Sequence, residues 1–100
     1  MANKMAEYRL SPKAVDDMEA IWLYSFTNWS AEQADRYIDD LTEAFEFLAQ
    51  NAKVGISCDY IRERYRRYPV KSHIIFYREA VYGIEVMRIL HNRMLPTLHL

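Results

Sequence analysis

The hydrophobic period of this chain changes once along its length, and that change limits the folds open to it. From about residue 14 to residue 48 apolar side chains recur every three or four positions; from about residue 64 they recur every second position. The first spacing draws a stripe along one face of a helix, and the second sends side chains to alternate faces of a strand. Helices written first and strands afterwards make an α+β domain, not a run of alternating βαβ units.

The elements follow in order. In AEYRL, Tyr8 and Leu10 share one side and Glu7 and Arg9 the other, which predicts a short strand. Ser11 is a good N-cap, and Pro12 at the first helical position needs no donor. Val15, Met18, Trp22, Phe26 and Trp29, with Ile21 beside them, then predict an amphipathic helix to about residue 28, its aromatic stripe facing the core. Ser30 and Gln33 make a capping box, and Ala34, Ile38, Leu41, Phe45 and Leu48 carry a second helix to about Gln50. So short a link implies an antiparallel helical hairpin. NAKVGISCDY is a loop with Gly55 as its turn. RYRRYPV, SHIIFYRE and GIEVMRILH read as strands joined by the turns PVKS and AVYG, hence a three-stranded antiparallel meander. The expectation is one domain over residues 1–100, with residues 95–100 a flexible tail.

Both faces of the predicted sheet are apolar. Ile74 and Phe76 oppose Ile75 and Tyr77; Ile84, Val86 and Leu90 oppose Met87 and Ile89. A sheet with one wet face would alternate polar and apolar residues. The helical hairpin can cover one face only, so the other is covered by the loop and the tail or by a second chain. The second chain is the favoured expectation, with Ile75, Tyr77, Met87 and Ile89 as its surface and Arg88 as an anchor for an acidic partner residue. For Arg88 itself the favoured reading is an ion pair with a helix carboxylate, ahead of that anchor.

The formal net charge of −1 conceals an uneven distribution: residues 14–50 carry nine acids and one base, and residues 51–100 nine bases and four acids. A basic half could meet an anionic partner, though such charges are most often simply solvated. The single cysteine, Cys58, excludes an internal disulfide, and three scattered histidines show no metal-ligand spacing. No metal and no cofactor are expected. MANKMAEYRL has no apolar signal core and no segment is long enough to span a membrane, which reads as soluble and cytoplasmic.

Four stretches in series carry a family likeness: YRLSPKAVDDMEAIWLY, WSAEQADRYIDDL, IRERYRRYPVKSHIIFY and VMRILHNRM. Over residues 7–94 they resemble the ParE toxins of bacterial type II toxin–antitoxin systems, within the RelE/ParE superfamily. The resemblance implies a toxin with no cofactor and no chemistry of its own. Such a toxin traps DNA gyrase on cleaved DNA and is neutralised by a ParD-like antitoxin in a hetero-oligomer. It implies no sequence-specific nucleic-acid binding by the toxin itself. The chain departs from the family pattern at Ala52, where proline is common, at Arg64 and Lys71, where glycine is common, and at Leu95, where an acid is common. Glycine in a tight turn points to positive φ at Lys71.

Two basic groups are candidate contacts with gyrase: His91, Arg93 and Met94 in HNRM, and Arg66 with Arg67 in the tyrosine-flanked basic strand. The runner-up is a ribosome-dependent mRNA endoribonuclease of RelE type, which needs a base, an acid and cations around one phosphate. Strand alternation puts Arg88 and His91 back to back, so that pair cannot share a phosphate, and no catalytic residue is assigned. A third reading is an inactive toxin kept as a scaffold for its antitoxin.

Overall fold

The computed structural model describes residues 5–100. The elements are β1 (Glu7–Leu10), α1 (Pro12–Asn28), α2 (Ala31–Gln50), β2 (Ile56–Ser57), β3 (Arg66–Val70), β4 (His73–Ala80), β5 (Gly83–His91) and α3 (Pro96–His99). Both long helices start where the capping residues predict. Ser11 Oγ accepts the Ala14 N–H at 3.0 Å, and Ser30 Oγ accepts the Gln33 N–H at 3.1 Å. The sheet order is β1-β5-β4-β3-β2. β3, β4 and β5 form the antiparallel meander, while β1 pairs with β5 in parallel. Gly83 permits that parallel pair: at φ +142° a Cβ would lie 2.1 Å from the Glu7 carbonyl oxygen. β2 was absent from the sequence expectation, since a two-residue strand has no readable period.

β1 stops at Leu10, but β5 runs on to His91. The start of α1 closes the edge left over. Ser11 N–H donates to Val86 O at 2.9 Å, Ser11 Oγ donates to Met87 O at 2.8 Å, and Asp17 Oδ2 accepts the Ile89 N–H at 2.9 Å.

The main core lies between the hairpin and one sheet face. It holds Ala14, Ile21, Leu41, Phe45, Leu48, Ile75, Tyr77, Ile84, Val86 and Ile89. The stripe expected on α2 is the buried one, with Ile38 partly covered. The stripe expected on α1 is not. Ala14, Met18, Ile21 and Ser25 face the sheet, while Val15, Phe26 and Trp29 are exposed. Small residues at 14 and 25 let the helix approach closely. The displaced aromatics pack on one another: Trp22 and Phe26 stack at 5.1 Å, and Trp22 Nε1 donates to Asp35 Oδ1 at 2.8 Å.

The outer face carries a second cluster of Cys58, Tyr65, Phe76 and Leu90, with Ile61, Ile74, Met87 and Leu100 against it. Loop and tail cover this face, so no second chain is required there. The tail is folded into α3 and tied down by Arg88 Nη1, which donates to His99 O at 2.7 Å. The expectation of a free tail missed that anchor.

Alternation in β5 breaks once. Phe76 pairs with Arg88 but Tyr77 pairs with Val86, which leaves Met87 as an extra residue, a β-bulge. Ile84 and Val86 therefore face the helices as Ile89 does, while Met87 and Leu90 face outward. The sequence reading had set Ile89 against Ile84 and Val86.

Candidate functional site

The hairpin between β4 and β5 sets the central feature of the surface. Its register places His73, first in β4, opposite His91, last in β5. Their rings meet edge to face with centroids 5.3 Å apart. Tyr37 from α2 reaches over them, its hydroxyl 2.7 Å from His73 Nδ1, and also receives the Ser72 N–H at 3.2 Å. Arg93 and Met94 follow on the turn after β5, where the Arg93 N–H donates to His91 Nδ1 at 3.1 Å. Tyr24 and Trp29 from the end of α1 complete a cleft of about 560 Å³ lined also by Ile21 and Ser25. Burial, reinforced by the neighbouring His91, pushes His73 down to about 4, so its ring is neutral at pH 7.

The candidate residues fall into separate places. His91, Arg93 and Met94 share this cleft. Arg66 and Arg67 do not form a common patch with each other or with it. Arg66 Nη1 donates to Gly55 O at 2.8 Å and its guanidinium lies 3.6 Å from Glu79, whereas Arg67 sits opposite Phe76 with a buried Nε. Ile75, Tyr77 and Ile89 are core residues, 0%, 0% and 3% exposed. They cannot offer a partner surface while the fold is intact, and that expectation is corrected: the face they share is the one under the helices. Tyr77 instead fastens the loop after α2, donating to Ala52 O and accepting the Gly55 N–H, each at 2.8 Å. Met87 packs against the outer cluster. Arg88 makes the helix ion pair: Nε and Nη2 donate to the two Asp17 oxygens at 2.8 and 2.9 Å, and those bonds hold its guanidinium above the usual arginine range.

Arg88 and His91 thus lie on opposite faces, as alternation requires. What sequence reasoning missed is the rest of the cleft: Tyr24, Trp29, Tyr37 and His73. It also missed an exposed apolar face on α1, where Leu23, Tyr24, Phe26 and Trp29 are 47–63% exposed. The periodic signal was present, but helix rotation about its axis by one residue decides whether it faces in or out.

Among the described residues, no group of three or more His, Cys, Asp or Glu is arranged to hold a metal ion. No described helix is long and apolar enough to cross a membrane.

Comparison with known proteins places this arrangement. The family model of the ParE toxin of the type II toxin–antitoxin system parDE matches residues 8–96. Toxin ParE1 of Mycobacterium tuberculosis is 40% identical over 90 residues, covering 89% of this chain and 92% of that protein. Toxin ParE1 of Caulobacter vibrioides is 38% identical over 96 residues, covering 96% and 99%. In fold, the chain superposes with a TM-score of 0.75 on a chain of the chromosomal ParDE system from P. aeruginosa, 21% identical, over 89% of this chain and 98% of that one. The chain belongs to the ParE family of toxins of type II toxin–antitoxin systems.

Proposed function

We propose that this toxin inhibits DNA gyrase by stabilising its complex with cleaved DNA, and that a ParD-like antitoxin neutralises it. The family match over residues 8–96 carries this reading. The surface supports its two halves. The rim formed by His91, Arg93 and Met94 is a compact basic and apolar element suited to contact rather than chemistry, and it is the proposed gyrase determinant. The end of α1 exposes Leu23, Tyr24 and Phe26, with Trp29 just beyond it, and such apolar surface is of the kind that partners cover. It is the proposed antitoxin seat, in place of Ile75, Tyr77 and Ile89.

The endoribonuclease reading gains one observation: His73, His91 and Tyr37 stand beside Arg93 in one cleft. Against it, a His73 held near 4 is unprotonated at pH 7 and cannot serve there as a general acid.

One paired experiment tests both. Purified protein is mixed with gyrase, ATP and supercoiled plasmid, and in parallel with a translating extract. Accumulation of linear plasmid is the expected result. Codon-phased mRNA cuts without linear plasmid would replace the gyrase reading with the nuclease. Neither product, with tight antitoxin binding, would identify an inactive scaffold.

A further inference from the structure

We propose that the cleft between α1, α2 and the paired ends of β4 and β5 is a binding site for a nucleoside monophosphate. This rests on the cleft's own geometry and not on the gyrase reading. At about 560 Å³ it falls within the range of small-ligand sites, ~300–1,000 Å³, and it combines apolar walls with a few convergent polar groups, as those sites do.

The polar end consists of donors. A backbone N–H can only donate, so His91 Nδ1 accepts from Arg93, and the neutral ring carries its proton on Nε2. At His73, Nδ1 is engaged by the Tyr37 hydroxyl 2.7 Å away, which leaves Nε2 as the ring nitrogen open to a ligand; with the hydroxyl hydrogen on Nδ1, Nε2 carries the ring proton. Beside these donors the Arg93 guanidinium makes no ion pair and no hydrogen bond among the described residues. The neighbouring cations differ, since Arg36 pairs with Glu32 and Lys71 with Asp40. A free guanidinium that shares one cleft with two imidazoles favours an oxyanion, and a phosphoryl group has the acceptors to meet all three.

The apolar end selects the rest of the ligand. Tyr24 and Trp29 stand edge to face at 6.1 Å, and both are more than 60% exposed. Such rings offer open π-faces to a planar base, and stacking there is tolerant of base identity. A bare anion would leave them unused; an uncharged aromatic would leave Arg93 without a partner.

The test titrates the purified full chain with AMP, GMP, CMP and UMP, with uridine and inorganic phosphate as controls, followed by NMR of imidazole and indole signals. The molecule contains its own references: His99 lies on α3 and Trp22 is bonded to Asp35, both outside the cleft. Saturable shifts of His73, His91 and Trp29 are expected, with His99 and Trp22 unmoved. Arg93→Gln, at an exposed position, should weaken binding about tenfold, and Trp29→Leu by a similar factor. Uridine and phosphate should each bind at least about tenfold more weakly than UMP. The proposal is overturned by no saturable shift at His73 and His91, by equal affinity in Arg93→Gln, or by phosphate alone binding as tightly as the nucleotide. None of these outcomes bears on plasmid linearisation by gyrase.

Discussion

The carboxylate of Asp17 accepts three hydrogen bonds at once, two from the Arg88 guanidinium and one from the Ile89 N–H. It joins α1 to β5 beyond the end of β1, where β5 has no strand on that side. Both side chains are more than four-fifths buried, so solvent can replace little of what is lost on mutation. Asp17→Ala leaves a guanidinium and a backbone donor without partners, and should cost ~2–4 kcal/mol by denaturant midpoint. Asp17→Ala with Arg88→Met should recover part of that loss, because the stranded charge is gone while the Ile89 N–H remains unsatisfied. A double variant less stable than Asp17→Ala would contradict this account.

Tyr77 ties the loop after α2 to the sheet through one oxygen that both donates and accepts. Tyr77→Phe keeps the ring and orphans Ala52 O and the Gly55 N–H, for an expected loss of ~1.5–3 kcal/mol. Gly55→Ala attacks the same contact from the other side, since its Cβ would fall 2.3 Å from the Tyr77 oxygen. Thermal unfolding should show both variants destabilised, and the loss for the pair together should be well short of additive.

Arg64 and Lys71 hold left-handed backbone, at φ 70° and 52°. These are the two positions where the family pattern commonly has glycine. Arg64→Gly should stabilise by ~1 kcal/mol through relief of Cβ strain. Lys71→Gly should gain less, because it also removes the exposed ion pair with Asp40, worth ~0.2–1 kcal/mol. Urea titrations of the two variants would show the order.

His73 is expected to make stability depend on pH. Its folded value near 4 is below the ordinary 6.5, so between those values the unfolded chain binds the proton more readily. Its contribution is complete above about pH 6.5 and is lost as pH falls towards 4. The open cleft moderates the effect to ~2 kcal/mol. Urea midpoints at pH 7 and pH 4.5 should differ less in His73→Gln than in the parent chain; an equal difference would show that His73 is not the group responsible.

The α1 face supplies a binding prediction. Leu23→Glu with Phe26→Glu alters two side chains that are already 58% and 47% exposed, so the melting temperature should move little. Antitoxin affinity should fall at least about tenfold. Unchanged affinity by calorimetry would move the antitoxin seat elsewhere.

The sequence was informative wherever one residue sufficed. Ser11, Pro12 and Ser30 mark helix starts chemically, and the change of period separates hairpin from meander. It was uninformative where a side chain's role depends on a count carried across the fold. Counted back from the Ala80–Gly83 pair, an unbroken register would set His73 against Leu90. The extra residue Met87 moves the partner on by one, to His91. The histidine pair at the base of the cleft is thus made by a bulge that alternation cannot register. The rotation of α1 escaped for a similar reason: stripes at 14, 18, 21, 25 and at 15, 18, 22, 26 both satisfy a helical period, and packing against the sheet chooses between them.

The closure of the β5 edge by α1 has a further consequence. At the opposite margin β2 covers only Arg66 and Arg67 of β3, and the stretch beyond includes Pro69, which has no N–H to offer. The other border is β1, four residues long, so each border of the sheet is a short strand that offers only a brief run of free donors and acceptors. Short edges of this kind disfavour edge-to-edge addition of copies into a cross-β ladder.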